Sequence, residues 1–411
     1  MATKRPEFAS LSRRVPYPST LRRHDRCVRI VRLANYVAPA SGGLRTALAE
    51  LGAGYLAAGH EPVLVVPGAR PDRHQSKQGL VITVPGVPVP GTGGYRAITA
   101  RRSLRRLLED LQPDRLEVSD RTTLRWTGAW ARRRGIRSMM VSHDSLAALA
   151  QMFRPPGVSV RHLVDRLNRN TAASFDVVVA TTAWAAAEFR RLGVPNLVQV
   201  PLGVDLASFH PSRFDADLRS EFAPGDRTLL MHCSRLSPEK RPERAIGALA
   251  ELRHRGVRAV LVVAGDGPLR RSLQASAARL PVRFLGHVAN RGLLAKLLAT
   301  ADVVIAPGPA ETFGLSALEA LASGTPVVVS SQSALPEVIG RAGLAADDND
   351  AACADAVQRL LRRDATERRR LARQRAERFD WPTAVNGFLG AHGLTRLPRG
   401  GEETPAIRVG T

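Results

Sequence analysis

The sequence predicts an α/β protein made of two doubly wound, Rossmann-like domains with parallel sheets and an interdomain cleft. Three observations carry that reading. Strand-like and helix-like stretches alternate along most of the chain, which argues for parallel sheets joined by right-handed crossovers. The strand-like stretches are runs of Val, Ile and Leu with little polar alternation, as expected of strands covered on both faces. The series ends near residue 205 and begins again near 228, and 411 residues exceed the usual size of a single core.

In the first half, VRIVRLAN (28–35) reads as a buried strand and LRTALAELGAGYLAAG (44–59) as a helix ended by Gly59. EPVLVVPG (61–68) is the next strand, and further strands are expected at Leu80–Val84, Leu116–Val118, Ser138–Val141, Val177–Ala180 and 197–205. The second half opens with the strand TLLMHCSR (228–235) and the helix RPERAIGALAELRHRG. Strands follow at 258–267, 282–288, 301–307 and 325–331. The stretch ATERRRLARQRAERFDWPTAVNGFLGAHG reads as a helix broken near Trp381-Pro382, because proline cannot continue the hydrogen-bond ladder. The expected organisation is a disordered basic leader at 1–26, domains at 27–205 and 206–378, a C-terminal helix at 379–395 and a disordered tail at 396–411.

The net charge of +23 is the strongest compositional signal and suits an anionic partner. The excess is arginine; the only lysines are Lys4, Lys77, Lys240 and Lys296. Aromatic residues are only 5% and are not interleaved with basic runs, so nucleic acid ranks below a membrane surface or a phosphorylated substrate. The helix AITARRSLRRLLEDL (97–111) sets Ile98, Leu104, Leu107, Leu108 and Leu111 against arginines. It could lie on an anionic bilayer, or pack its leucines in the core and leave a solvated basic face. No apolar run reaches the roughly 18 residues of a membrane span, and the basic N-terminus lacks the apolar segment of a secretory signal. Three scattered cysteines argue against a disulfide framework or zinc site and fit a reducing cytoplasm.

The chemistry concentrates in ETFGLSALEALASGTPVVVS (311–330). Thr312-Phe313-Gly314 forms the entry to a helix that Gly324 closes. The first amides of a helix lack internal partners and sit at its positive end, a place for a diphosphate. Glu319 lies roughly 7 Å up that helix at 1.5 Å per residue, within reach of ribose hydroxyls. Glu311, on the incoming loop, can reach hydroxyls on the other side of the diphosphate. The bland alternative is an ordinary helix start with one surface glutamate. Glu319, however, falls beside the apolar face of Leu315, Leu318 and Ala322, where a carboxylate needs a partner.

Other strand ends add to this. SRLSPEKRPE places Arg235 and Lys240 where open α/β sheets bind ligands, and two cations there can neutralise a leaving diphosphate. In so basic a chain Arg235 is weakly diagnostic; Lys240 is more so, because lysine is rare. AGDGP (264–268) is a common kind of turn, and HVAN (287–290) offers backbone groups to a base. Gly42 and Gly43 in PASGGLRTAL permit close approach to phosphate, although a Gly-Gly pair is more often a tight turn. They do not fit G-x-G-x-x-G, which disfavours a dehydrogenase. His143 and Asp144 end another strand, and His143 either serves the reacting centre or is a satisfied buried histidine. No metal motif is present, and DDND (347–350) reads as a solvated loop.

Together, ETFGLSALE, SRLSPEKRPE, AGDGP, FLGHV and TPVVVSS resemble the retaining glycosyltransferases of family 4, which have the two-domain GT-B fold. PASGGLRTALAELGAGYLAAGHEP, LEVSDRTTLR and VSHDSLAAL look most like the actinobacterial GDP-mannose-dependent mannosyltransferases of phosphatidylinositol mannoside synthesis. The resemblance implies an acceptor-binding first domain, a nucleotide-sugar-binding second domain, and a last helix that crosses back. It implies contacts from Arg235 and Lys240 to the donor diphosphate and from Glu311 to the donor sugar. Phe313, Gly314 and Leu315 would lie close through their backbone, Glu319 on ribose, Val288 on the base, Gly42 and Gly43 by the phosphates, and His143 near the reacting carbon. It implies front-face transfer without a metal or other cofactor, to a lipid or glycan acceptor, at the inner face of the plasma membrane. Competing readings are a UDP- or ADP-sugar donor, a nonhydrolysing sugar-nucleotide epimerase, and a basic non-enzymatic binding protein.

Overall fold

The computed structural model describes residues 27–37, 42–89, 94–143, 145–147 and 160–394; the leader, Asp144 and the tail lie outside the described residues. The first domain contains strands β1 (Arg29–Leu33), β2 (Glu61–Gly68), β3 (Asp72–Ser76) and β4 (Gly79–Pro85), the short hairpin β5 (Val87–Pro88) and β6 (Arg96–Ala97), then β7 (Arg115–Val118), β8 (Arg137–Ser142), β9 (Val177–Ala180) and β10 (Leu197–Gln199). Its eight-stranded sheet has the order β10-β9-β8-β7-β1-β2-β4-β3, parallel except where β3 runs antiparallel to β4. The second domain contains β11 (Thr228–Cys233), β12 (Ala259–Ala264), β13 (Val282–Gly286), β14 (Val303–Ala306), β15 (Val327–Ser330) and β16 (Gly343–Ala346). They form a six-stranded sheet ordered β13-β12-β11-β14-β15-β16, with every pair parallel.

In both sheets the order reverses beside the first strand, at β1 and at β11, and the loops after those strands open at a switch point. Burial explains the Val- and Ile-rich pattern. Alternate residues of β1 enter different clusters: Ile30 one face, Val31 and Leu33 the other. One apolar cluster runs from Ile30, Met139 and Val179 through Trp381, Val385 and Phe388 to Met231, Val262 and Val304, joining the domains.

The last helix, Trp381–Ala391, makes that join. It is separate from the helix Ala365–Ala376, so the expected single broken helix is two helices divided at residues 377–380. Asp380 caps the second by accepting from Thr383 N at 2.6 Å, and Pro382 sits in the first turn, where a missing N–H costs nothing. Its approach is close: a Cβ on Gly54 would fall 2.3 Å from Val385 Cγ2. Its carbonyl end accepts from first-domain arginines, Arg115 Nε to His392 O at 2.9 Å and Arg137 to Ala391 O at 3.3 Å. Beneath it, buried Glu117 accepts from Arg32 at 2.9 Å and Tyr55 at 2.8 Å, with His392 Nε2 at 3.2 Å. Despite its burial, Arg32 and His392 hold the Glu117 carboxyl far below the usual carboxylate range.

Two expectations are refined. Leu104, Leu108, Leu111 and Ile98 are buried in the first-domain core, so the apolar face of the helix Arg101–Leu111 is covered by the sheet and not offered to a bilayer; Arg101, Arg102, Arg105 and Arg106 face outward. The acids near 347–350 are ion-paired rather than merely solvated: Arg244 donates to Asp348 at 2.7 Å and to Asp350 at 3.1 Å.

Candidate active site

The helix expected after Gly314 spans Leu315–Ala322. Gly314 begins it in the left-handed region, φ +73°, where a Cβ would also lie 2.2 Å from Leu335 Cδ2, so both backbone angle and packing demand glycine. At the other end Gly324 N donates to Leu321 O and Thr325 N to Ala320 O, both at 2.9 Å, a Schellman ending. The helix is buried on nearly all sides rather than along one stripe, because it lies between its own sheet and the neighbouring helices. Phe313 is buried edge-on against Phe379, with ring centroids 5.9 Å apart, which leaves the backbone of this turn as its polar surface.

Glu319 is buried on this helix, 7% exposed, and accepts from Arg291 at 3.1 Å. Burial raises its carboxyl from 4.5 to about 7; Arg291 opposes the shift, and Asp205 and Glu50 add to it. Arg291 starts the helix Arg291–Thr300, capped by Asn290, and so ties the half-buried Val288 loop after β13 to Glu319.

Arg235 and Lys240 emerge from the loop after β11. The sequence places them on a diphosphate and Glu311 on a sugar; the structure pairs Lys240 Nζ with Glu311 Oε1 at 2.5 Å. Arg235 pairs with Glu239 and lies 4.5 Å over the Tyr95 ring of the first domain. Despite burial, hydrogen bonds from Ser237 and Arg235 keep the Glu239 carboxyl below its ordinary value. The glycines of AGDGP support this loop. A Cβ on Gly265 would fall 1.8 Å from Ser234 O, and one on Gly267 2.4 Å from Leu236 O. Under the pair, His232 Nδ1 donates to Ile305 O at 2.9 Å, while Nε2 lies 2.9 Å from Ser234 Oγ. Burial pushes His232 down to about 4, which keeps the ring neutral.

From the first domain, the helix Gly43–Ala57 points its N-terminus at that of the helix Leu315–Ala322: a Cβ on Gly43 would lie 4.0 Å from Leu315 Cβ. Gly42, its N-cap, has φ −81°, and a Cβ there meets nothing within 4 Å. Two positive helix ends thus converge in the cleft. His143, half-buried beyond β8, has Nε2 3.1 Å from Ser119 Oγ, and burial drives it down to about 4. Its carbonyl accepts from Thr312 Oγ1, so the turn between Glu311 and Gly314 touches the first domain directly.

The structure therefore gathers Lys240, Glu311, Gly314, Leu315, Gly43 and, through Thr312, His143. Sequence reasoning missed Arg291, Glu239, His232 and Thr312. Arg291 and Thr312 have partners far along the chain, and Glu239 is one acid in a loop whose bonding to Arg235 and Ser237 no pattern announces. His232 sits mid-strand among apolar neighbours, and only that polarity hinted at it.

Residues 42–203 match the glycosyl transferase 4-like domain, and residues 227–363 match glycosyl transferases group 1. The chain is 50% identical over 368 residues to a GDP-mannose-dependent alpha-(1-6)-phosphatidylinositol dimannoside mannosyltransferase of Mycobacterium tuberculosis, spanning 89% of this chain and 96% of the relative. It is 28% identical over 352 residues to a GDP-mannose-dependent alpha-mannosyltransferase of Mycolicibacterium smegmatis, spanning 81% and 88%. In fold it is similar to the sucrose-phosphate synthase of Thermosynechococcus elongatus, with TM-score 0.71, 21% identity and coverage of 87% and 96%. Anabaena HepE in complex with UDP-glucose gives TM-score 0.68, 18% identity and coverage of 89% and 100%. With two parallel-sheet domains, a cleft between facing helix ends and these relatives, the chain belongs to the GT4-type glycosyltransferases of GT-B fold.

Proposed function

We propose that the protein is a retaining α-mannosyltransferase that moves mannose from GDP-mannose to a phosphatidylinositol mannoside or a related glycolipid. The observation that carries this is 50% identity across nearly all of the mycobacterial relative, together with two helix N-termini, one from each domain, brought together at Gly43 and Leu315. In this reading the diphosphate lies against the amide ends of the helices at Gly43 and Leu315, with Gly42 open to its approach and Gly314 shaping the turn that presents the amides. Glu319 accepts from the ribose hydroxyls, with Arg291 orienting the carboxylate. The Val288 backbone meets the guanine, and the Phe313 backbone lies beside the sugar. Glu311 accepts from the mannose hydroxyls, and Lys240, held beside it, turns toward the phosphate as negative charge grows on the leaving group. Arg235 adds a second positive charge.

Mannose departs and the acceptor hydroxyl attacks from the same face, with the leaving phosphate taking the hydroxyl proton. The protein supplies position and charge, and neutral His143 supports the donor sugar beside the reacting carbon. The reaction proceeds without a resident metal; undiminished turnover in a chelator is the expected check. The outward arginines of the helix Arg101–Leu111 hold an anionic membrane electrostatically, at the inner face of the plasma membrane. Among the described residues no helix is long and apolar enough to cross a membrane.

A panel of nucleotide sugars tests the reading. Saturable mannose transfer from GDP-mannose with GDP release is expected; preference for UDP- or ADP-sugars, or an epimer formed without acceptor, contradicts it. Lys240→Ala is expected to lower kcat by about 10²- to 10³-fold with an unchanged circular-dichroism spectrum. Near-normal turnover would remove Lys240 from the mechanism.

A further inference from the structure

We infer that Thr312 is a positioning residue for transfer: it fastens the donor-holding turn of the second domain to the first domain and so sets the spacing between the two halves of the site. The inference rests on the functional reading above and adds the residue that joins the halves. Thr312 lies between Glu311 and Phe313-Gly314, and its hydroxyl and its carbonyl both bond across the domain boundary. Its hydroxyl donates to the His143 carbonyl. Its carbonyl accepts from Thr182 Oγ1 at 2.9 Å and from Thr181 Oγ1 at 3.3 Å.

The chemistry of these threonines suits the task. Thr182 caps the helix Ala183–Arg190, its oxygen accepting from Ala185 N at 3.1 Å, which fixes the rotamer and leaves the hydroxyl hydrogen for Thr312. The seam is dry: Thr181 is 1% exposed, Thr182 2% and Thr312 7%. Hydrogen bonds there do not compete with water, and losing one strands a buried carbonyl. A second contact lies at the rim. Glu337 accepts from Ala183 N at 2.9 Å and Trp184 N at 3.1 Å, at the start of the same first-domain helix. Ala334 N donates to Glu311 O at 2.9 Å, which makes the Glu337 segment and the turn one block. Glu337 is exposed, so its share is smaller and weakened by salt. Glu311 and His143 belong to different domains, yet each is one covalent or one hydrogen bond from Thr312.

The test compares the full-length chain with Thr312→Val, which keeps the shape and loses the hydroxyl, and Thr312→Ser, which restores it. GDP-mannose Kd is read by calorimetry, kcat by transfer, and domain spacing by X-ray scattering without ligand. For Thr312→Val, kcat is expected to fall about 10- to 100-fold while Kd stays within about threefold. Its radius of gyration should exceed that of the wild type, and Thr312→Ser should recover both. A Thr312→Val protein with wild-type kcat, or with an unchanged radius of gyration, overturns the inference. So does an equal loss of Kd and kcat in both variants, which would make Thr312 part of the turn's shape alone. Wild-type protein that does not bind GDP-mannose counts against the proposed function, and the scattering comparison still decides the role of Thr312.

Discussion

Glu319 condenses the chemistry of the site into one side chain. It is a buried carboxyl paired with Arg291, and the charges of Asp205 and Glu50 act on it. Burial raises it from 4.5 to about 7, so near neutrality it is about half protonated in the ligand-free protein. The folded chain keeps a proton that the unfolded chain releases, so this group's contribution to stability falls as pH rises from 4.5 to about 7 and is constant above that. Binding runs the other way. An ionised carboxylate accepts two ribose hydroxyls, and the diphosphate of GDP-mannose, a diester, has no proton to lose in this range. GDP-mannose should therefore bind about tenfold more weakly at pH 6 than at pH 8. Glu319→Gln should bind weakly at both, with a flat calorimetric profile. A Glu319→Gln profile as steep as that of the wild type would assign the titration to another group.

Among the elements, the turn and helix from Glu311 to Gly324 matter most, and most of this unit was legible. A glycine at φ +73° before an apolar octet and another at φ +79° after it are start and stop signals that the sequence displays. The strands β2 and β9 were legible to the residue because their Val runs are bounded by glycine, proline or helix caps. Other parts were silent. The edge strand β3, DRHQS, is polar and nearly all exposed, so no apolar period marks it. The pairing of Lys240 with Glu311, 71 residues apart, could not be read from spacing, and neither could the role of Arg291. Leucines facing arginines on the helix Arg101–Leu111 gave the correct face but not what covers it. At this scale Gly314→Ala is the sharp change, since it meets both the left-handed backbone and Leu335. It should weaken GDP-mannose binding by about tenfold or more through displaced amides. Wild-type affinity would show that the amides of this turn do not hold the ligand.

At the scale of the molecule, the last helix makes two sheets behave as one body. It shares the central apolar cluster with both domains, presses Val385 onto Gly54, and seats His392 over Glu117. Gly54→Val would place methyl groups where Val385 already lies, and should lower Tm by about 5 °C, measured by calorimetry. An unchanged Tm would mean that the helix is not needed to hold the first domain. The cleft itself is the central claim, and a crystal structure with GDP-mannose tests it most directly. The diphosphate is expected between the amides that follow Gly42 and Gly314, with ribose on Glu319 and mannose beside Glu311. A nucleotide bound away from these two helix ends would contradict the assignment of this cleft as the donor site.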